Sequence, residues 1–215
     1  MQSIGIIGGT GKQGSALARR LVTANFPVLI GSRSQSRGMS TAEKLNEEWQ
    51  TDLITGGDNQ YAAGADIVVL AIPFDQVDPL VTPLSDLLDN KIVIDMTVNL
   101  KFGKFVSTDL IDGKSGYEYI RNLFPDSKVV MCLKTISFVK LGSDEPLSQT
   151  DFQMTLSDEA FAFTSELVSK FGLTPLRVRG RTHAHTIERM VALSIQLNKE
   201  YSGSHAGFLV TDLKM

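Results

Sequence analysis

The apolar run Ile4-Gly5-Ile6-Ile7, followed at once by Gly8-Gly9-Thr10-Gly11-Lys12-Gln13-Gly14, leaves this chain few folds to choose from. Gly9, Gly11 and Gly14 satisfy G-x-G-x-x-G, and beyond them Leu17, Ala18, Leu21 and Val22 recur on one side of a helix. A glycine-rich turn by itself can be a plain connector. Here strand, turn, helix and a second apolar strand, Val28-Leu29-Ile30, follow one another within about thirty residues, the context the motif requires. A pyrophosphate can lie on a helix N-terminus only if the turn is tight and the backbone comes close, and side chains at the glycine positions would prevent both. Thr10, Lys12 and Gln13 fill the remaining places of the turn. No Gly-Lys-Ser or Gly-Lys-Thr ends it, so a P-loop is excluded.

The end of the second strand selects the nucleotide. A site for NAD usually places Asp or Glu there, to accept from the ribose hydroxyls, whereas this chain has Gly31-Ser32-Arg33, with Arg37 one helical turn further on. A guanidinium offers a planar fork to phosphate and Ser32 adds a hydroxyl donor; a solvated basic loop is the alternative, but Ser and Arg at the expected place make Ser32, Arg33 and Arg37 predict NADP(H).

Further along, strand-like and helical stretches alternate, the pattern of a parallel sheet with helices on both faces. A helix carries Ala42, Leu45 and Trp49, and a short third strand near Leu53-Ile54-Thr55 precedes Gly56-Gly57. Asp66 to Ile72 is apolar almost throughout, as a strand buried on both faces should be, and Pro73 ends it. A helix through Val77, Leu80, Leu84, Leu87 and Leu88 leads to a fifth strand over 91–94, and residues 101–116 read as a loop. A helix over 117–123 and a sixth strand over 128–133 follow, then apolar segments at 152–156 and 176–178 around a helix with Phe161, Leu167, Val168 and Phe171. The expected fold is a doubly wound α/β Rossmann domain over 1–180, with a C-terminal helix and tail over 181–215 belonging to the same single domain. The helix from about 182 to 199 carries Ile187, Met190, Val191, Leu193, Ile195 and Leu197, more than one stripe explains. It is either wholly buried in the monomer or shared with a second copy, and a homodimer is the expectation. Phe208, Leu209 and Val210 are expected to cover either the pocket or the dimer seam.

With 215 residues and a net charge of −3, the chain suits one α/β domain, and nothing in its charge calls for nucleic acid or an anionic membrane. Its single cysteine, Cys132, rules out an internal disulfide and fits a reducing cytoplasm, and no apolar stretch approaches a membrane span. His183, His185 and His205 lack metal-ligand spacing, so no metal site is expected. Cys132, on an apolar strand, reads as core.

Neither a Tyr-x-x-x-Lys pair nor a Gly-x-Ser-x-Gly elbow is present, so no catalytic acid, base or nucleophile is assigned. Hydride transfer between two ring systems needs positioning more than proton donors. Two loops at the carboxyl ends of strands could supply it, Ala71-Ile72-Pro73-Phe74 and Leu133-Lys134-Thr135-Ile136-Ser137-Phe138. Ile72 and Ile136 suit the walls of a nicotinamide site, and Phe74 and Phe138 could face a flat acceptor, though single aromatics are often core. Lys134 either meets an anionic acceptor or is simply solvated.

Taken in order, Gly-Gly-Thr-Gly-x-x-Gly, Gly31-Ser32-Arg33, Ala71-Ile72-Pro73 and Lys134-Thr135-Ile136-Ser137 resemble the deazaflavin-dependent NADP oxidoreductases of archaea and bacteria. Tyr117 to Pro125, the Ile136-Ser137 pair and Asp95-x-Thr97-x-Asn99 are also similar to the cytoplasmic oxidoreductase domain of the STEAP ferric reductases. The resemblance implies a cytoplasmic enzyme that binds NADPH through Thr10 to Gln13, Ser32, Arg33 and Arg37, with Ile72, Pro73, Val98, Ile136 and Ser137 around the nicotinamide. Hydride would pass to a freely exchanging flavin (FMN or FAD) or deazaflavin; the STEAP-like features favour the ordinary flavin, with a ferric chelate as a further acceptor. An NADP(H)-sensing protein without turnover is the alternative.

Overall fold

A computed structural model describes residues 2–203 and 205–213. In chain order the elements are β1 (Ile4–Ile7), α1 (Lys12–Thr23), β2 (Val28–Ser32), α2 (Gln35–Trp49), β3 (Ile54–Asp58), α3 (Asn59–Ala63) and β4 (Ile67–Leu70). Next come α4 (Val77–Val81), α5 (Ser85–Leu88), β5 (Ile92–Asp95), β6 (Leu100–Phe102), β7 (Val106–Thr108), α6 (Gly116–Leu123), β8 (Lys128–Met131) and α7 (Phe138–Leu141). β9 (Thr150–Gln153), α8 (Asp158–Lys170), β10 (Thr174–Arg177) and α9 (Arg181–Glu200) complete it.

Six strands pair in the order β3-β2-β1-β4-β5-β8, every pair parallel, as the doubly wound reading requires. Strand alternation divides their apolar side chains between two cores. Ile4, Ile6, Ile67, Val69, Ile92, Ile94 and Val130 meet α1, α2, α7 and α8 on one face. Ile7, Val68, Leu70, Val93, Val129 and Met131 meet α4, α6 and the first turns of α9 on the other. β1 sits between β2 and β4, from which the chain runs outward to opposite sides. The crevice at that reversal, beyond the strands' carboxyl ends, is where such sheets take ligands.

Several expectations need correction. The segment read as a loop over 101–116 contains an antiparallel hairpin, β6–β7, in the register Leu100↔Thr108 to Phe102↔Val106, and a bridge Ile111↔Lys114. The single helix through 77–88 is broken into α4 and α5 by a 3-10 turn, Thr82–Leu84, because Pro83 lacks the N–H that would continue the helical ladder. β3 runs on through Gly56 and Gly57 instead of stopping before them, since α2 crosses so closely at Gly38 that a Cβ at Gly56 would overlap the Gly38 carbonyl. The strand around 152–156 begins earlier, at Thr150, and that around 176–178 is Thr174–Arg177; these two pair in parallel and join β8 through the bridge Met131↔Met154.

α9 packs on α6 and β7, burying Ala184, Ile187, Val191 and Ala192, while Leu193 stays 49% exposed. No helix among the described residues is long and apolar enough to cross a membrane. In the tail, the Phe208 carbonyl accepts from Thr150 N–H at 2.8 Å and Val210 N–H donates to Thr150 Oγ1 at 2.9 Å. The tail is thereby strapped to β9 with Leu209 and Val210 outward, and its last residues, Lys214 and Met215, lie outside the described residues.

Candidate active site

The glycine turn crosses the crevice as its motif demands. Gly9 and Gly14 are buried and line no cavity; their role is contact, since a Cβ on Gly14 would stand 2.6 Å from the Gly8 carbonyl and 2.7 Å from Gly9 Cα. Gly8 has φ +80°, a conformation that favours glycine, and its N–H donates to Asn59 Oδ1 at 3.3 Å. Gly11 is the N-cap of α1 and has no side chain with which to cap it, so the first-turn amides are left for an outside acceptor.

Two cavities meet at Gly11, Ala71, Ile72 and Pro73. The first, about 460 Å³, is lined by Thr10, Ser32, Arg33 and Arg37 together with Asn59. Ser34 caps α2 by accepting from Arg37 N–H at 3.4 Å, so a second helix N-terminus opens beside the two arginines. Asp75 is the one acidic residue lining this cavity. The second, about 740 Å³, is lined by Lys12, Gln13, Val98, Ile136, Ser137 and Phe138 among others. Every residue expected at a nucleotide site therefore lies along one crevice, with Gly9 and Gly14 beneath it. A turn folded so tightly that a Cβ at Gly14 would meet the Gly8 carbonyl, an uncapped helix start and a basic end to β2 fit a dinucleotide carrying an extra phosphate.

Two sequence expectations fail here. Phe74 does not face this second chamber; its ring packs on Tyr119, centroids 5.6 Å apart, because the turn after Pro73 points it at α6. Nor is Lys134 a solvated or anion-seeking group. It is 5% exposed, and its Nζ lies 2.7 Å from Asp95 Oδ2 and 3.9 Å from Glu188 Oε1, besides donating to the Thr97 carbonyl. Asp95 Oδ1 in turn accepts from Thr97 N–H at 2.8 Å and Thr97 Oγ1 at 2.7 Å. Glu188 accepts from Gly116 N–H at 3.0 Å and Tyr117 N–H at 2.9 Å, capping α6 from a distance of seventy residues and more in sequence. One ammonium thus ties together the loops after β5 and β8, helix α9 and the start of α6. Two carboxylates against one lysine leave an excess negative charge, which the α6 N-terminus offsets in part.

The β8 loop is held from behind as well. Leu133, wholly buried, has φ +58°, a strained value for a branched residue of about 1–3 kcal/mol. Its N–H donates to Asp151 Oδ1 at 2.7 Å, and Asp151 also accepts from Cys132 Sγ at 3.1 Å and Gln153 Nε2 at 2.9 Å. Burial pushes both the Asp151 carboxyl and the Cys132 thiol up, the latter far above its ordinary range, so Cys132 is core as expected. Sequence reasoning also missed the chamber's outer wall, supplied by Val191, Ser194, Ile195 and Asn198 of α9, by Leu100 and Phe102 of the hairpin and by His205 and Ala206. The surplus of apolar residues on α9 was the available signal: part of its second face lines a cavity. His185 Nε2 lies 3.4 Å from the Thr108 carbonyl.

Residues 3–99 match the family model described as NADP oxidoreductase, coenzyme F420-dependent. The chain is 30% identical to the F420-dependent NADP reductase of Methanothermobacter thermautotrophicus, over 99% of this chain and 96% of that one. It is likewise 30% identical to the enzyme of that name from Methanothermobacter marburgensis, over 98% of each. A crystal structure titled as a putative F420-dependent NADP-reductase, from Arthrobacter sp. FB24, superposes with a TM-score of 0.81 at 21% identity, covering 98% of this chain and 100% of that one, and so shares the fold. Relatives this similar along their whole length place the chain in the family of coenzyme F420-dependent NADP oxidoreductases.

Proposed function

We propose that this chain transfers hydride between NADP(H) and a deazaflavin of the F420 type. The observation that carries the reading is the crevice itself: a cavity lined by Ser32, Arg33 and Arg37 and a mainly apolar, ring-sized chamber, joined at Ile72 and Pro73. The names of the relatives favour a deazaflavin over FMN or FAD. Bound in this crevice, NADPH would supply a hydride from nicotinamide C4 and a deazaflavin would take it up.

The chain's own residues bind and orient. The amides of Lys12, Gln13 and Gly14 take the pyrophosphate, with Thr10 beside them; Ser32, Arg33 and Arg37 take the 2′-phosphate. Ile72, Pro73, Val98, Ile136 and Ser137 fix one ring, and Phe138 and the α9 wall exclude water from the side facing it. The one ammonium buried in the wall, Lys134, is engaged by Asp95 and Thr97 and braces the pocket. No catalytic residue in the strict sense is assigned. The enzyme is a cytoplasmic homodimer in this proposal, with the exposed Leu193 strip of α9 against its partner; light scattering at twice the chain mass supports that, and a monomer refutes it.

The test mixes the protein and NADPH with F420, FMN, FAD and a ferric chelate, the chelate with and without flavin, and follows NADPH oxidation by absorbance. Turnover with F420 well above that with either flavin is the expected result. Turnover with flavin alone, or ferric reduction alone, replaces the acceptor; tight NADPH binding without oxidation in any mixture supports a sensor instead.

A further inference from the structure

None of the residues lining the 740 Å³ chamber is acidic, although the chain holds 24 Asp and Glu against 21 Lys and Arg. At the rim of the chamber the same pairing occurs twice. Lys12 Nζ lies 5.6 Å from the centroid of Phe138, and Lys199 Nζ lies 5.7 Å from that of Phe102. Both phenylalanines line the chamber while remaining exposed, Phe138 by 40% and Phe102 by 69%. At the tip of the same hairpin Lys104 repeats the arrangement over Phe105, at 5.4 Å. None of these three lysines has an ion-pair partner among the described residues, and Glu200, next to Lys199, is engaged by Gln196 Nε2 at 2.8 Å.

The hairpin is fixed in place, since Val106 N–H donates to Gln196 Oε1 of α9 at 3.0 Å and Val106 is buried. A firmly held strand that turns Phe102 outward at a cavity mouth leaves apolar surface in water with no packing gain of its own. An ammonium over an aromatic face keeps its charge available to an incoming anion. The rim therefore offers an aromatic face to a flat ring and a nearby cation to whatever that ring carries.

We propose that the β6–β7 hairpin and the end of α9 form a subsite for an anionic side chain on the hydride acceptor, with Lys199 and Lys104 binding its phosphate or carboxylate groups and Phe102 packing on the stem. This rests on the hydride-transfer reading above. It makes the acceptor's charge, as well as its ring, a determinant of specificity. Coenzyme F420 carries both a phosphodiester and a glutamate chain, whereas its riboside core carries neither.

The experiment compares the intact chain with the double variant Lys104→Gln, Lys199→Gln, measuring KM for F420, for the riboside core without phosphodiester or glutamates and for NADPH at low and high salt. Two exposed charge contacts predict that the variant's KM for F420 rises about three- to tenfold, with the other two KM values unchanged. Added salt should raise KM for F420 in the parent and have little effect in the variant. An acceptor with the phosphate but no glutamates assigns the anion: a KM near that for F420 puts phosphate at the lysines, and one near that for the core puts carboxylates there. An unchanged KM for F420 in the variant, or equal losses for F420 and the core, overturns the proposal. Should no acceptor be turned over at all, the hydride-transfer reading fails first. F420 binding followed by fluorescence in the parent and the variant then still decides the subsite, equal affinities refuting it.

Discussion

Replacing Lys134 by methionine removes the single cation from a cluster in which all three side chains are at most 1% exposed. Methionine approximates the volume of the lysine stem, so the cavity term is small and the change is mainly electrostatic. Asp95 keeps its two bonds from Thr97 and Glu188 keeps its two from α6, but neither regains a countercharge. Removing one partner of a buried ion pair typically costs about 3–5 kcal/mol. For a chain of this length each kcal/mol lowers Tm by about 2–4 °C, so Lys134→Met should melt about 6–20 °C below the parent. The assay is thermal unfolding followed by circular dichroism, with urea titration as a check. Asp95→Asn supplies a second arm: because the two residues are in contact, the double variant should lose clearly less than the sum of the singles. A loss below about 1 kcal/mol for Lys134→Met, within the range of exposed pairs, or strict additivity with Asp95→Asn, would refute the view that this lysine holds the chamber wall together.

Arg33→Asp should weaken NADPH binding by about a hundredfold while changing NADH binding little, since it removes a charge-assisted bond and adds repulsion to the 2′-phosphate alone; equal losses in parallel titrations would contradict the NADP(H) assignment. Gly14→Ala should abolish nucleotide binding while the protein stays folded by circular dichroism, because the added Cβ meets the Gly8 carbonyl and Gly9 backbone; retained affinity would dissociate the motif from binding. Burial alone would raise the Glu118 carboxyl, but the Ser115 amide, the Arg181 guanidinium and the Ser115 hydroxyl outweigh it and hold it below its ordinary 4.5. A depressed acid stabilises the folded state above its unfolded pKa and loses that contribution as pH falls through the folded value. The parent should therefore exceed Glu118→Gln by about 1 kcal/mol at neutral pH, converging as the pH falls from 4.5 through the lower folded value; a constant difference down to the acid limit would contradict the role.

Strands β1, β4 and β5 were the most legible, because each is a short apolar run buried throughout and bounded by turn signals, whereas the edge strand β3, with Gly56, Gly57 and Asp58, was legible only in its first residues. The β6–β7 hairpin was not. Its strands are three residues each, shorter than the window over which alternation can be counted, and their outward Lys101 and Phe102 resemble loop. In the site the division is the same. The residues from Gly9 to Gly14 and from Ser32 to Arg37 form local motifs whose spacing carries the chemistry. Lys134, Asp95 and Glu188 come from three distant segments, and only the folded chain brings both carboxylates within 4 Å of the lysine. A lysine after an apolar strand looks like a solvated end; the loop after β5 and helix α9 are what bury it. Phe74 is the converse case, a residue in the right loop that the Pro73 turn sends to the wrong side.

A crevice that sets a nicotinamide and a deazaflavin face to face passes hydride directly and from one side. Protein incubated with F420 and NADPH deuterated on one or the other face of nicotinamide C4 tests this. Deuterium from one face only should arrive at deazaflavin carbon 5, one label per NADPH oxidised. Reduction of the deazaflavin without label, or with label from both faces equally, would contradict a transfer directed by this pocket.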